Sequence, residues 1–88
     1  MYRIHVDQVY NCRPKKGERK SKDGRLVKCL QFIGDTIEEA KAEARSCFAA
    51  SEKIAPGYAA ILEVRVYTNA DWIRNCLTAV PIKVSTTI

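Results

Sequence analysis

The stretch from Gly34 to Ser51 constrains this chain most, because its spacing is that of an amphipathic helix set between two strand-like runs. Asp35 or Thr36 can N-cap it, and each has a glutamate three residues on (Glu38 and Glu39), the capping-box spacing. Those carboxylates stand in the first turn, where unpaired N–H groups and the macrodipole favour negative charge. Ile37, Ala40, Ala44, Cys47, Phe48 and Ser51 recur on one face, while Glu38, Lys41, Glu43 and Arg45 point away. A stripe built mostly of alanine lets a helix lie close against a flat sheet. The helix is expected over 35–53, with Ile54 as a last contact and Pro56-Gly57 as its stop.

The flanking runs alternate with a period of two. Tyr2, Ile4 and Val6 share one face of a first strand over 2–10, and Arg3, His5 and Asp7 share the other. A second strand is expected over 25–33 and a third over 58–67, with Ala60, Leu62, Val64 and Val66 on one face and Glu63, Arg65 and Tyr67 on the other. Residues 69–80 admit two readings. Trp72, Ile73, Cys76, Leu77 and Val80 fit a helical stripe that Thr68 and Asp71 can cap. The brevity of 67–72 favours instead a turn at Asn69-Ala70 and a strand over 71–77. Pro81 breaks either element, and 82–85 has the look of an edge strand. The expected class is α+β: an antiparallel-rich sheet of three to five strands around a ββαβ core, with one long helix packed on one face. The open face should carry Arg3, His5 and Arg65.

Eighty-eight residues make a single domain, 1–88, with a small core. No run approaches the ~20 apolar residues of a spanning helix. The N-terminus lacks the apolar segment of a signal peptide. A cytoplasmic location is expected, the host cytoplasm for a viral protein, with no membrane partner. The four cysteines (Cys12, Cys29, Cys47, Cys76) contain no Cys-x-x-Cys pair, and His5 is the only histidine, so no metal or other cofactor is expected. Reduced thiols are the expected state, with Cys47 as a small hydrophobe on the helix face. A bridge between Cys12 and Cys29, which flank the loop between the first two strands, is the alternative.

The charge is concentrated in one place. Residues 13–28 hold eight basic side chains, Arg13, Lys15, Lys16, Arg19, Lys20, Lys22, Arg25 and Lys28, against Glu18 and Asp23, a local charge of +6. The remaining residues are seven basic and eight acidic, a charge of −1, so the formal +5 resides in this hairpin loop. Pro14, Gly17 and Asp23-Gly24 supply turn chemistry, and the segment reads as a flexible basic finger. Such a finger suits a phosphate backbone, which Lys and Arg neutralise with release of counterions. It also suits an acidic protein surface, and a solvated loop that only keeps the chain in solution is the remaining alternative. Tyr10 at its base, with Tyr67 and Trp72 around the 69–70 turn, can anchor an interface or stack on unpaired bases; burial is the competing role, more so for Trp72 than for Tyr67. Catalysis finds no support. The single histidine lies in the first strand, and Gly17, Gly24 and Gly34 lie too far apart for a phosphate-binding loop.

Two resemblances bear on function. Residues 2–50, with the Tyr2-Arg-Ile-His-Val6 strand, a Lys/Arg-rich turn with glycines and then Phe32-Ile-Gly-Asp-Thr-Ile-Glu-Glu-Ala40, resemble the arm-type DNA-binding domains of phage integrases. That resemblance implies a three-stranded sheet laid on DNA with a helix behind it; the long segment after residue 57 departs from the pattern. In layout the whole chain resembles the anti-CRISPR proteins of phages and mobile elements: small, basic, with a bent sheet and one or two helices. That resemblance implies a non-catalytic phage-type inhibitor, engaging nucleic acid or a nucleoprotein effector complex through protein–protein and charge contacts. The alternative is a stand-alone DNA-binding accessory or regulatory protein.

Overall fold

The computed structural model covers all 88 residues, in the order β1 (Tyr2–Tyr10), β2 (Val27–Gly34), α1 (Ile37–Ile54), β3 (Ala59–Thr68), α2 (Asn69–Asn75) and β4 (Lys83–Ser85). The four strands form one antiparallel sheet in the order β2-β1-β3-β4, which makes the class α+β. β1 is central, with Ile4 opposite Phe32 on one side and Val66 on the other. β2 and β3 both run antiparallel to β1 and therefore parallel to each other, so α1 is a crossover passing behind β1. No helix is long and apolar enough to cross a membrane.

α1 begins as its local chemistry dictates. Thr36 is the N-cap, its hydroxyl accepting from the Glu39 N–H at 3.1 Å, while the Glu39 carboxylate accepts from the Asp35 N–H at 3.2 Å. The alanine stripe then permits close packing. Ile4, Val6, Val64 and Val66 meet Ala40 and Ala44 in a fully buried cluster, with Phe32, Ile37, Ile61 and Ile88 packed around it. Burying each of the four large side chains stabilises the fold by roughly 1.5–3 kcal/mol. At the far end the helix stops at Ala55, and Gly57 takes the left-handed backbone (φ 71°) that turns the chain into β3. Ile54 and Cys47 differ from expectation. Ile54 is 86% exposed and Cys47 is also exposed, so the buried stripe of α1 is confined to Ala40 and Ala44.

Two further differences have identifiable causes. The register of β1 with β3 slips between Asp7 and Gln8, so that Leu62 stands opposite no residue of β1. This bulge reverses the alternation of β3. Ile61, and not Ala60 or Leu62, joins Val64 and Val66 beneath α1, while Leu62 is 44% exposed. The segment after β3 is a helix, not a turn and strand. The Thr68 hydroxyl caps α2 by accepting from the Asp71 N–H at 3.3 Å, and helical geometry brings Trp72 back over the open sheet face. The four cysteines are free, without the alternative Cys12–Cys29 bridge. Cys29 lies opposite Asp7 within the ladder, so it does not face Cys12.

Candidate functional site

The open face of the sheet is a graded row along β1. Arg3, His5, Asp7 and Val9 alternate with the core residues, and their register partners Ile33, Gln31, Cys29 and Val27 lie beside them. At one end α2 closes the face. The Trp72 ring packs against His5 (centroids 4.2 Å apart) and Tyr67 (5.1 Å), with the Arg3 guanidinium 5.5 Å from the Trp72 centroid. Arg3 Nε also donates to Asn69 Oδ1 at 3.2 Å and ties α2 to the sheet. His5 is 2% exposed, and its Nε2 has no hydrogen-bond partner. Burial, then the positive charges of Arg3 and Arg65, hold its pKa down to about 4 against the opposing pull of Asp7. The ring is neutral at pH 7.

Asp7 marks the middle of the row. Its carboxylate accepts from Arg65 Nη2 at 3.0 Å and lies 3.8 Å from Arg19 Nη1. Arg65 Nη2 also reaches Cys29 Sγ at 3.7 Å, while burial and a hydrogen bond with Asp7 push the Cys29 thiol pKa up. A raised, half-buried thiol is a poor nucleophile.

Beyond Asp7 the basic segment folds over the sheet, and it is more ordered than a flexible finger. Leu26 N–H donates to the Cys12 carbonyl and Val27 N–H to the Arg19 carbonyl, and Lys20 pairs with Leu26 in an isolated antiparallel bridge. Ser21 to Arg25 closes a tight turn. Ser21 N–H donates to the Arg25 carbonyl, Gly24 N–H to the Ser21 carbonyl, and Asp23 accepts from both the Ser21 hydroxyl and Arg25 Nε. The Ser21 bond, then Arg25, hold the Asp23 carboxyl below its usual pKa. The second strand therefore starts at Val27, two residues later than the spacing predicts.

Between this turn and the sheet lies a cleft of about 600 Å³. Its floor is apolar, formed by Val9, Val27 and the bulged Leu62. Its walls carry Arg19, Lys20, Lys22 and Arg25. Of the eight basic residues of the segment only Arg19 and Arg25 have carboxylate partners. Arg13, Lys15, Lys16, Lys20, Lys22 and Lys28 are exposed and unpaired.

Comparison with known protein families, curated proteins and solved structures finds no match. The site therefore stands on its geometry. Of the ten residues that sequence reasoning singles out, four converge on the cleft and three, Arg13, Lys15 and Lys16, continue the positive surface along the outer loop. The other three do not join them. Lys28 pairs with Gln8 and points to the helix side of the sheet. Tyr10 faces that side too, its hydroxyl donating to Gln8 Oε1 at 2.8 Å and its ring set edge-on to Tyr58. Tyr67 lies opposite Arg3, six residues along β1 from Val9 or about 20 Å at ~3.3 Å per residue. It is 4% exposed under Trp72, so it is the more buried of the two aromatics and no surface anchor. The floor residues were not anticipated. The only local sign of them is the adjacent pair Ile61-Leu62, which breaks the alternation of the third strand.

Proposed function

We propose that this protein is a non-catalytic binding protein whose basic segment docks on nucleic acid or on a nucleoprotein effector complex. What carries the reading is the unpaired charge. Five exposed cations on one ordered hairpin, Arg13, Lys15, Lys16, Lys20 and Lys22, have no carboxylate to neutralise them, and a polyanion supplies that neutralisation with release of its counterions. An effector complex that handles nucleic acid offers such a surface. Within this reading the chain acts in the cytoplasm as a phage-type inhibitor of the anti-CRISPR kind, occupying the path of a nucleic acid. An accessory protein that lays its open sheet face in a DNA groove is less well supported, because Trp72 covers His5 and Tyr67 on that face.

The test is fluorescence-anisotropy binding of a labelled oligonucleotide across a salt series. Binding should weaken with a log–log slope of about −0.7 to −0.9 per phosphate contacted. Replacing Lys15, Lys16, Lys20 and Lys22 by Gln removes four charges that have no internal carboxylate partner. That variant should fold normally and lose most of the affinity. Equal affinity in the variant, or no binding at low salt, overturns the proposal.

A further inference from the structure

We infer that the cleft between the Ser21–Arg25 turn and the sheet is a pocket for one unstacked nucleotide of a single strand. Its base would lie on Val9, Val27 and Leu62, and its phosphate would meet Arg19, Lys20, Lys22 and Arg25. This rests on the nucleic-acid reading above and narrows it from a charged surface to a site with a defined occupant.

Three features of the cleft converge on that occupant. The first is juxtaposition. An apolar floor, in which Leu62 is 44% exposed over the buried Val9 and Val27, and a cationic wall flank one open cleft of about 600 Å³, within the ~300–1,000 Å³ range of small-ligand pockets. A nucleotide has the matching pair of surfaces, a flat weakly polar base and a phosphate a few bonds away. The base of a single strand can be splayed out to present its face, whereas duplex bases are stacked and show only their edges in the grooves.

The second feature is the hydrogen-bonding inventory. The wall is rich in donors, and its carboxylate and several of its carbonyls are already engaged. Both Asp23 oxygens accept within the turn, one from Ser21 and one from Arg25, and the carbonyls of Arg19, Ser21 and Arg25 accept from backbone N–H groups. A phosphodiester brings acceptors and no donors. An acidic peptide brings an N–H with every residue and meets few free acceptors there.

The third is preparation. Arg25 is held by Asp23 at 2.8 Å, and Arg19 is drawn toward Asp7 at 3.8 Å, so two guanidinium groups are placed before any ligand arrives. Their planes can stack on a base as well as bind its phosphate. The bulge supplies the rest of the floor, since a regular strand would direct Leu62 to the other face.

The experiment compares the full chain with its Leu62→Gln variant, using labelled oligo-dT and a duplex of equal length at low salt. Leu62 is partly exposed and lies outside the buried cluster, and the substitution leaves the net charge unchanged. The expected result is single-strand affinity at least tenfold above that for the duplex, reduced about tenfold in the variant while the duplex value stays put; loss of one buried apolar side-chain contact has that size. Equal binding of both oligonucleotides with no effect of L62Q overturns the nucleotide pocket while leaving the charged surface as a nucleic-acid site. Binding of neither oligonucleotide overturns both. L62Q-sensitive capture of an oligoglutamate peptide, without oligonucleotide binding, overturns the inference in favour of an acidic protein partner.

Discussion

Replacing His5 by Phe should flatten the acid limb of this protein's stability. In the folded chain the imidazole is 2% exposed, pressed by Trp72 and Tyr67 and flanked by Arg3 and Arg65, and its pKa is about 4. In the unfolded chain it returns to the ordinary value of about 6.5. Between these values the unfolded state binds a proton that the folded state does not. Stability therefore rises with pH through this window. The contribution is fully present above pH 6.5, is lost as pH falls toward 4, and changes no further below that. At ~1.36 kcal/mol per unit the full span amounts to about 3 kcal/mol, most of it expressed by pH 4.5. Urea unfolding of the wild type and His5→Phe at pH 7.5 and pH 4.5 isolates the effect, because the carboxylates titrate in both proteins. The wild type should lose about 2–3 kcal/mol more than the variant over that interval. An NMR titration of the His5 ring should show its midpoint near 4. Parallel pH dependence in the two proteins, or a ring midpoint near 6.5, would refute the claim that burial and two guanidinium groups keep this side chain neutral.

Two other substitutions probe the contacts that place α1 and α2. At Gly34 an added Cβ would sit 2.6 Å from Ala40 N and 3.1 Å from Ala40 Cα, both backbone atoms, so Gly34→Ala must push α1 off the sheet. A destabilisation of about 1–3 kcal/mol is expected, seen as a lower thermal midpoint; an unchanged midpoint would show that α1 does not lie so close. Thr68→Ala removes the cap of α2 and should weaken its hold by about 1 kcal/mol. Trp72 fluorescence should shift to the red while far-UV circular dichroism keeps its sheet signal, and an unmoved Trp72 spectrum would argue that the cap is unimportant.

The parts of this fold legible in the sequence are those whose causes are local. α1 is written in a cap, two first-turn glutamates and an alanine stripe, all within one stretch, and β1 in nine alternating residues. α2 spans seven residues, too few for periodicity to separate helix from strand, although Thr68 and Asp71 carry a capping signal. What favours the helix is distant in sequence: Trp72 meets His5, and Asn69 meets Arg3. The slip at Asp7/Gln8 is likewise a property of two strands together, which is why alternation alone puts Leu62 on the wrong face. The charge of the basic segment is plain from composition, whereas its shape depends on pairings such as Lys20 with Leu26 and Arg19 with Asp7 that no spacing announces.

Those pairings give the buried polar row a purpose that packing alone does not. A carboxylate and an arginine in place of two apolar side chains add little to stability, since the desolvation of buried ions offsets much of their attraction. Their value here is positional. Asp7 is held by Arg65 from the adjacent strand, and the same oxygen draws Arg19 of the basic hairpin toward the sheet. An apolar residue at position 7 would remove this side-chain contact, while the backbone bonds from Val27 to Arg19 and from Leu26 to Cys12 would still hold the hairpin. Asp7 adds to them a carboxylate that faces one guanidinium of a strongly basic loop. Arg19 is drawn in, the turn from Ser21 to Arg25 closes over Val9 and Val27, and Lys20 and Lys22 are left facing the cleft without partners of their own. The ion pair thus acts less as a strut for the core than as one of the contacts that hold the basic hairpin against the open face.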